Sequence, residues 1–410
     1  MTDLGVLLMR HGYRAVERDR AARDGGDTYV SRLLGRRTVV IGEPEGARAF
    51  YDESLARRAG AIPPPLAWLL FGRGAVHGMD GTAHRDRKRL FLDVLDPGGF
   101  DLLLDEVRTG LAARSRGWVG RTVDLHDELV TVYGAAVLRW AGLDLPQRDA
   151  DTVSRHLAEI VDGFGFAGWA YARGWRGRQW AERWARGVID DVRSGNLDVA
   201  PGTAVHTFAE SGLDARTAGV ELLNVLRPTV AVSWLGAFVA PALAATTPRQ
   251  RDVLRSATGE RERFAFAQEV RRTSPFVPAL TARALRGGTV SGVRVRTGDR
   301  LLLDVIGIDH HPSRWPDPHR FVADRFLDSG SVPTPLAFEL VPQGGGHPSG
   351  HRCPGESLTL RLLVETVRVL AGFDAHLETA RIDASRMPTL PDGSHRVRLT
   401  PVDLAVAGGV

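Results

Sequence analysis

Cysteine occurs once in the 410 residues, at Cys353, and lysine once, at Lys88. A single thiol excludes an internal disulfide, so nothing in the chain calls for an oxidising compartment. Arginine therefore carries almost all the positive charge, and that charge is nearly balanced: 53 basic residues stand against 49 acidic ones, a formal +4. No run of arginines alternates with stacking aromatics, which argues against a nucleic-acid groove. Long uninterrupted apolar runs are also lacking. The most apolar stretch, residues 228–245, is broken by serine, tryptophan and proline and falls short of a membrane span. Residues 1–10 carry Asp3 and lack the charged-then-apolar order of a secretion leader. The expectation is a cytoplasmic protein with no integral membrane association and no nucleic-acid partner. At 43% hydrophobic content the chain can bury a large core.

What is present is mostly helical periodicity. Residues 102–118, 123–140, 156–166, 213–239, 261–272 and 358–370 repeat apolar side chains three and four apart. A short helix is expected over 45–52, and a basic one over 84–95. Pro63, Pro64 and Pro65 predict an extended lead-in to a helical piece ending near Leu70. Strand patterns are shorter: 28–34 and 37–41 around Gly35-Arg36, then 290–295, 300–305, 373–379 and 395–404. Residues 310–326 read as a polar, proline-rich loop. Trp169, Trp175, Trp180 and Trp184 suit core anchors or the cover of an apolar entrance, and Gly174 and Gly177 permit a mobile connection there. No repeat or composition break divides the chain. One domain over 1–410 is expected, mainly α with small β-sheets.

Four places carry chemistry. Residues 341–356, VPQGGGHPSGHRCPGE, put the lone thiol in a glycine-rich loop at a helix start. Glycine lets backbone approach a flat cofactor, nearby N–H groups stabilise a thiolate, and thiolate ligation of haem favours O–O cleavage. The same loop suits a buried structural cysteine equally well. In the long helix over 213–239, Arg227 precedes Pro228, which bends the helix. An arginine among apolar neighbours needs an anion, and its planar fork matches a carboxylate. An internal Arg–Asp/Glu bridge or an exposed arginine fits the same pattern. His84 and Lys88 share a helix face and could hold propionates, or simply face solvent. Glu269 and Arg272, three apart, can pair on one face.

Three separated patterns resemble the cytochrome P450 superfamily in its usual order. They are Glu269-x-x-Arg272, the segment with Pro316, Phe321 and Arg325-Phe326, and the loop ending Cys353-Pro354-Gly355. The likeness spans essentially the whole chain. It implies the cytochrome P450 fold and heme b (iron protoporphyrin IX) bound through Cys353, with His84, Lys88, Gly345, Gly346 and Arg352 as further cofactor-binding residues.

A closer resemblance is to bacterial fatty-acid peroxygenases. It rests on NVLRPTVAV, on QEVRR followed by PFVP, on VPQGGG before HRCPGE, and on Phe71-Gly72 with His77-Gly78-Met79-Asp80-Gly81. Arg227-Pro228 stands where ordinary P450 monooxygenases carry an acidic residue followed by threonine, the pair that delivers protons to bound dioxygen. The resemblance implies that Arg227 anchors a fatty-acid carboxylate, with Pro228 and Phe71 beside it and His77 as the distal residue. It also implies hydrogen peroxide as co-substrate without a redox partner. The products would be terminal alkenes by decarboxylation, and α- or β-hydroxy acids. A reductase-dependent fatty-acid monooxygenase is the alternative, and a non-enzymatic haem or lipid carrier a third. Turnover with peroxide against turnover with an electron-transfer system separates them.

Overall fold

A computed structural model describes residues 2–23, 26–165, 168–327, 338–377, 381–391 and 397–401. Its axis is the helix Ala215–Ala237, opened by Asp214, whose carboxylate accepts from the Thr217 amide. A helix apolar on every side belongs in the middle of a protein, and here almost every residue from Ala218 to Ala237 is buried. With the following turn it forms a stretch, Ala215–Ala244, long and apolar enough to cross a membrane. Yet 94% of its apolar window is buried inside the fold, which accounts for it as core.

Leu125–Trp140, Gln147–Asp162, Gly168–Arg193 and Glu356–Leu370 pack around this axis. Small residues set the crossings. A Cβ on Gly236 would come within 2.6 Å of Leu129, and one on Gly134 within 1.8 Å of the Ser154 hydroxyl. The expected mobile connection at Gly174 and Gly177 is corrected by the same logic. Both lie inside the 26-residue helix Gly168–Arg193. Their Cβ positions would stand 3.0 Å from the Glu159 carbonyl and 2.9 Å from the His156 carbonyl, so these glycines serve close helix packing.

The sheets are small. The five-stranded one runs Thr28–Leu33, Arg36–Ile41, Arg300–Asp304, Ala279–Ala284, Ala56–Arg57. Its first hairpin pairs Leu33 with Arg36 and turns through Leu34 (φ 52°) and Gly35 (φ 73°), one residue earlier than the pattern suggested. Arg36–Ile41 then lies parallel to Arg300–Asp304. A three-stranded sheet joins Thr122–Val123, Val397–Pro401 and Phe373–Leu377. The single strand expected over 290–295 is instead a hairpin, Gly288–Val290 with Val293–Val295, turning at Ser291 (φ 46°) and Gly292 (φ 77°). The helix expected from 156 begins at Gln147, behind Pro146. Two N-terminal helices, Leu4–His11 and Ala15–Ala21, have no counterpart in the sequence reading. Residues 166, 378–379, 395–396 and 402–404 of the expected elements lie outside the described residues.

Glu269 and Arg272, both buried in the helix Glu260–Thr273, pair through two contacts of 2.7 and 2.9 Å. Arg272 also donates to the carbonyls of Asp309 and Pro318, and Glu269 accepts from the Val322 amide and from Arg325. This network ties the proline-rich loop to the helix. Removing one partner of such a pair leaves a bare buried charge and costs about 3–5 kcal/mol. Glu269→Ala is accordingly expected to lose stability on that scale in denaturant unfolding, and an unchanged midpoint would contradict the assignment.

Candidate functional site

Arg227 projects from the middle of the central helix and is 7% exposed. Its guanidinium lies over the Phe71 ring, 5.7 Å from the ring centre. Its Nε has no acceptor, and no carboxylate pairs with it among the described residues. Burial, reinforced by the nearby Arg178, pulls its pKa down to about 9, which leaves it a cation at neutral pH.

Phe71 ends the helix Pro64–Leu70, and the chain then turns through Gly72 (φ 87°) and Gly74 (φ 78°) into the short turn Val76–Gly78. The turn lays His77 flat on Phe71, ring centres 4.0 Å apart. His77 Nδ1 is buried without a partner. Burial first, then the positive charges of Arg227 and Lys88, hold its pKa well below the ordinary imidazole value, so the ring is neutral. Glu221 of the central helix holds this loop down. One oxygen accepts from the Val76 amide at 2.9 Å and from Arg87 at 2.7 Å, and the other accepts from Asn224 at 3.0 Å. Asn224 donates in turn to the Phe71 carbonyl at 3.0 Å.

Across from this loop, Cys353 precedes the helix Glu356–Leu370. Its amide donates to the Gln343 carbonyl at 3.1 Å, and its sulfur accepts from the Gln343 side chain at 3.8 Å and from the Gly355 backbone. Burial pushes the thiol pKa up, while Lys88 pulls it down. Gly344 (φ 91°) and Gly346 (φ 83°) fold the loop, and Gly346 packs on the Tyr51 ring. Lys88 Nζ donates to the Arg352 carbonyl at 2.6 Å. The Arg352 guanidinium itself is taken up by Glu356, which also accepts from Arg271.

Beside the cysteine loop lie two cations, Arg58 and Lys88, with two imidazoles and one nearby acid, Asp80. His84 stacks on His351 with ring centres 4.0 Å apart, and His351 reaches Asp80 at 3.3 Å. Asp80 also accepts from the amides of Arg58 and Ala59. The Arg58 guanidinium covers the rings of Phe50 and Tyr51. Burial lowers Lys88 to about 8, and burial with the neighbouring cations lowers His84 to about 4 and His351 to about 3. His84 Nδ1 and the Tyr51 hydroxyl have no partner. A haem fits these residues: its two propionates would meet Arg58, Lys88 and the neighbouring imidazoles and hydroxyl, and its iron the lone thiol.

Phe71 thus touches both His77 and Arg227, which Pro228 follows in the helix, while Lys88 ties to the Arg352 carbonyl of the loop that holds Gly345, Gly346 and Cys353, and His84 stacks on that loop's His351. Sequence reasoning missed Arg58, Tyr51 and the loop-holding part of Glu221, all of which act through contacts distant in sequence. It also took no notice of Arg178.

The cytochrome P450 family model matches residues 265–387. The chain is 32% identical over 145 residues to dimethylnonatriene synthase from Arabidopsis thaliana, a stretch that covers 35% of this chain and 27% of that protein. Solved structures match along nearly the whole length. A point variant of cytochrome P450 OleT in complex with arachidonic acid superposes with a TM-score of 0.90 at 29% identity, covering 98% of this chain and 97% of that one. Cytochrome P450SP alpha (CYP152B1) in complex with (R)-ibuprofen gives 0.89 at 32% identity, covering 97% and 98%.

The Glu221 clamp yields a direct prediction. In Glu221→Gln the charge that holds the Val76 amide and Arg87 is gone, so hydrogen exchange across residues 71–79 should quicken about tenfold or more while the core helices keep their protection. Unchanged exchange at Val76 would show that the loop is held by something else.

Proposed function

Because this chain belongs to the cytochrome P450 family, and within it to the CYP152-type fatty-acid peroxygenases, we propose that it oxidises free fatty acids with hydrogen peroxide, giving terminal alkenes, hydroxy acids or both. The observation that carries this reading is Arg227, a buried cation with no acid of its own among the described residues. The ligands of the two structural relatives, arachidonic acid and (R)-ibuprofen, both bear a carboxyl group, which agrees with it.

Cys353, with His84, Lys88, Arg58, Tyr51 and the glycines of the cysteine loop, would hold heme b, which would supply the oxidising chemistry. The protein's own part is to place the acid. The Arg227 fork binds both carboxylate oxygens, and each charge answers the other's desolvation. The α and β carbons are then the first atoms beyond the anchored head. Phe71 flanks the guanidinium, and Pro228 leaves the turn beside it without a competing amide donor.

The helix offers no other acid–base group there. Glu221 is engaged by Val76, Arg87 and Asn224, and the Thr229 hydroxyl donates to the Val225 carbonyl at 3.0 Å. The substrate carboxylate therefore takes over proton handling. This supports peroxide in place of a redox partner. His77, neutral and with Nδ1 unengaged, can hold or pass a proton and so biases the outcome. Hydroxylation converts acid and peroxide to hydroxy acid and water. Decarboxylation converts the same pair to terminal alkene, carbon dioxide and water.

Product analysis with free acids and their methyl esters tests the reading. Peroxide should support turnover of the acid, an electron-transfer system should add little, and esterification should abolish most of the rate. A charge-assisted contact is worth about 1.5–3 kcal/mol, so Arg227→Ala should lose roughly 10- to 150-fold in turnover at unchanged haem content. Equal rates for acid and ester would refute substrate-assisted catalysis. His77→Gln should lower the alkene fraction relative to hydroxy acids, and an unchanged ratio would remove His77 from product selection.

A further inference from the structure

Arg227 has a second buried guanidinium as its neighbour. Arg178, on the helix Gly168–Arg193, is 1% exposed. Only its Nε is engaged, donating to Glu182 at 2.7 Å, while Nη1 and Nη2 have no partner. That unpaired edge reaches the back of the distal loop: a Cβ on Gly72 would stand 1.9 Å from Arg178 Nη2. Gly72 follows Phe71, whose ring lies under Arg227. Glycine is needed here both for its φ of 87° and for the room it leaves the guanidinium.

The surrounding charges do not balance. Three cations, Arg87, Arg178 and Arg227, face two carboxylates, Glu182 and Glu221. Glu221 already serves Arg87 and the Val76 amide, and Glu182 meets Arg178 from its partly exposed side. One positive charge is left over, the deficit that a single carboxylate fills.

We propose that Arg178 is a positioning residue for the acid head group: from behind Gly72 it adds a second positive charge to the pocket that Arg227 opens, and so sets the preference for an anionic over a neutral head. The inference rests on the fatty-acid reading above. Burial first, and the Arg178 charge second, lower the proton affinity of Arg227, and an arriving anion offsets both.

Spectral titrations of the haem-bearing protein test this with three ligands: a saturated fatty acid, the alcohol of the same length and a neutral azole. In Arg178→Gln the Kd for the acid should rise about tenfold, while those for alcohol and azole stay as in the native protein. Arg178→Lys keeps the charge and should retain most of the acid preference. Parallel weakening of acid and alcohol would mark a merely structural role and overturn the proposal, as would an unchanged acid Kd. A loss of acid preference in Arg178→Lys as large as in Arg178→Gln would overturn it as well; should the Gln variant lose haem, a tenfold loss of acid preference in Arg178→Lys against the native protein overturns it. The parent reading fails separately. It falls if the native protein binds acid and methyl ester alike, whereas a native preference that Arg178→Gln preserves removes only the part given to Arg178.

Discussion

A guanidinium taken out of water costs several kcal/mol unless an anion or a set of acceptors replaces its hydration. Arg227 sits in the most buried helix of the protein with neither among the described residues. The acids within reach are committed elsewhere, Glu221 to the distal loop and Glu182 to Arg178. What remains is a buried positive charge beside the Phe71 ring. Near the cysteine loop a smaller excess recurs, where the cations Arg58 and Lys88 stand with two neutral imidazoles and the one nearby acid, Asp80.

Elsewhere buried arginines meet carboxylates and carbonyls. Arg272 donates to both oxygens of Glu269 and to loop carbonyls, and Arg352 and Arg271 share Glu356. These arginines fasten loops to helices. Exposure does not separate them from Arg227 and Arg178, since all are buried. The outer ends of the guanidiniums do: those of Arg272, Arg271 and Arg352 reach a carboxylate, whereas Nη1 and Nη2 of Arg178 have no partner and Arg227 meets no carboxylate among the described residues.

Much of this was legible before any coordinates. Cys353, Arg227, His77 and the Glu269–Arg272 pair stand in local patterns, and the central helix announces itself by its cap at Asp214 and its unbroken apolar run. The rest depended on partners far along the chain. Arg58 follows a strand only two residues long, too short for any periodicity to mark, and gains meaning from Tyr51 and Asp80. Gly174 and Gly177 read as freedom because glycine usually means that, whereas the backbone of the neighbouring helix makes them a constraint. Arg178 is one arginine among many on its helix in sequence, and only burial distinguishes it.

Glu221 and Arg227 ride on the same helix, about 9 Å apart by its rise. The carboxylate grips the segment bearing Phe71 and His77, and the guanidinium faces the ring of the same segment. Head-group recognition and the distal imidazole are therefore one mechanical unit, and a shift of the helix carries both. A change beyond the anchored head group, such as a longer or shorter acid chain, leaves that unit untouched. Re-aiming the imidazole alone would require cutting the tether first, so novelty in chain length should come more readily than novelty in reaction.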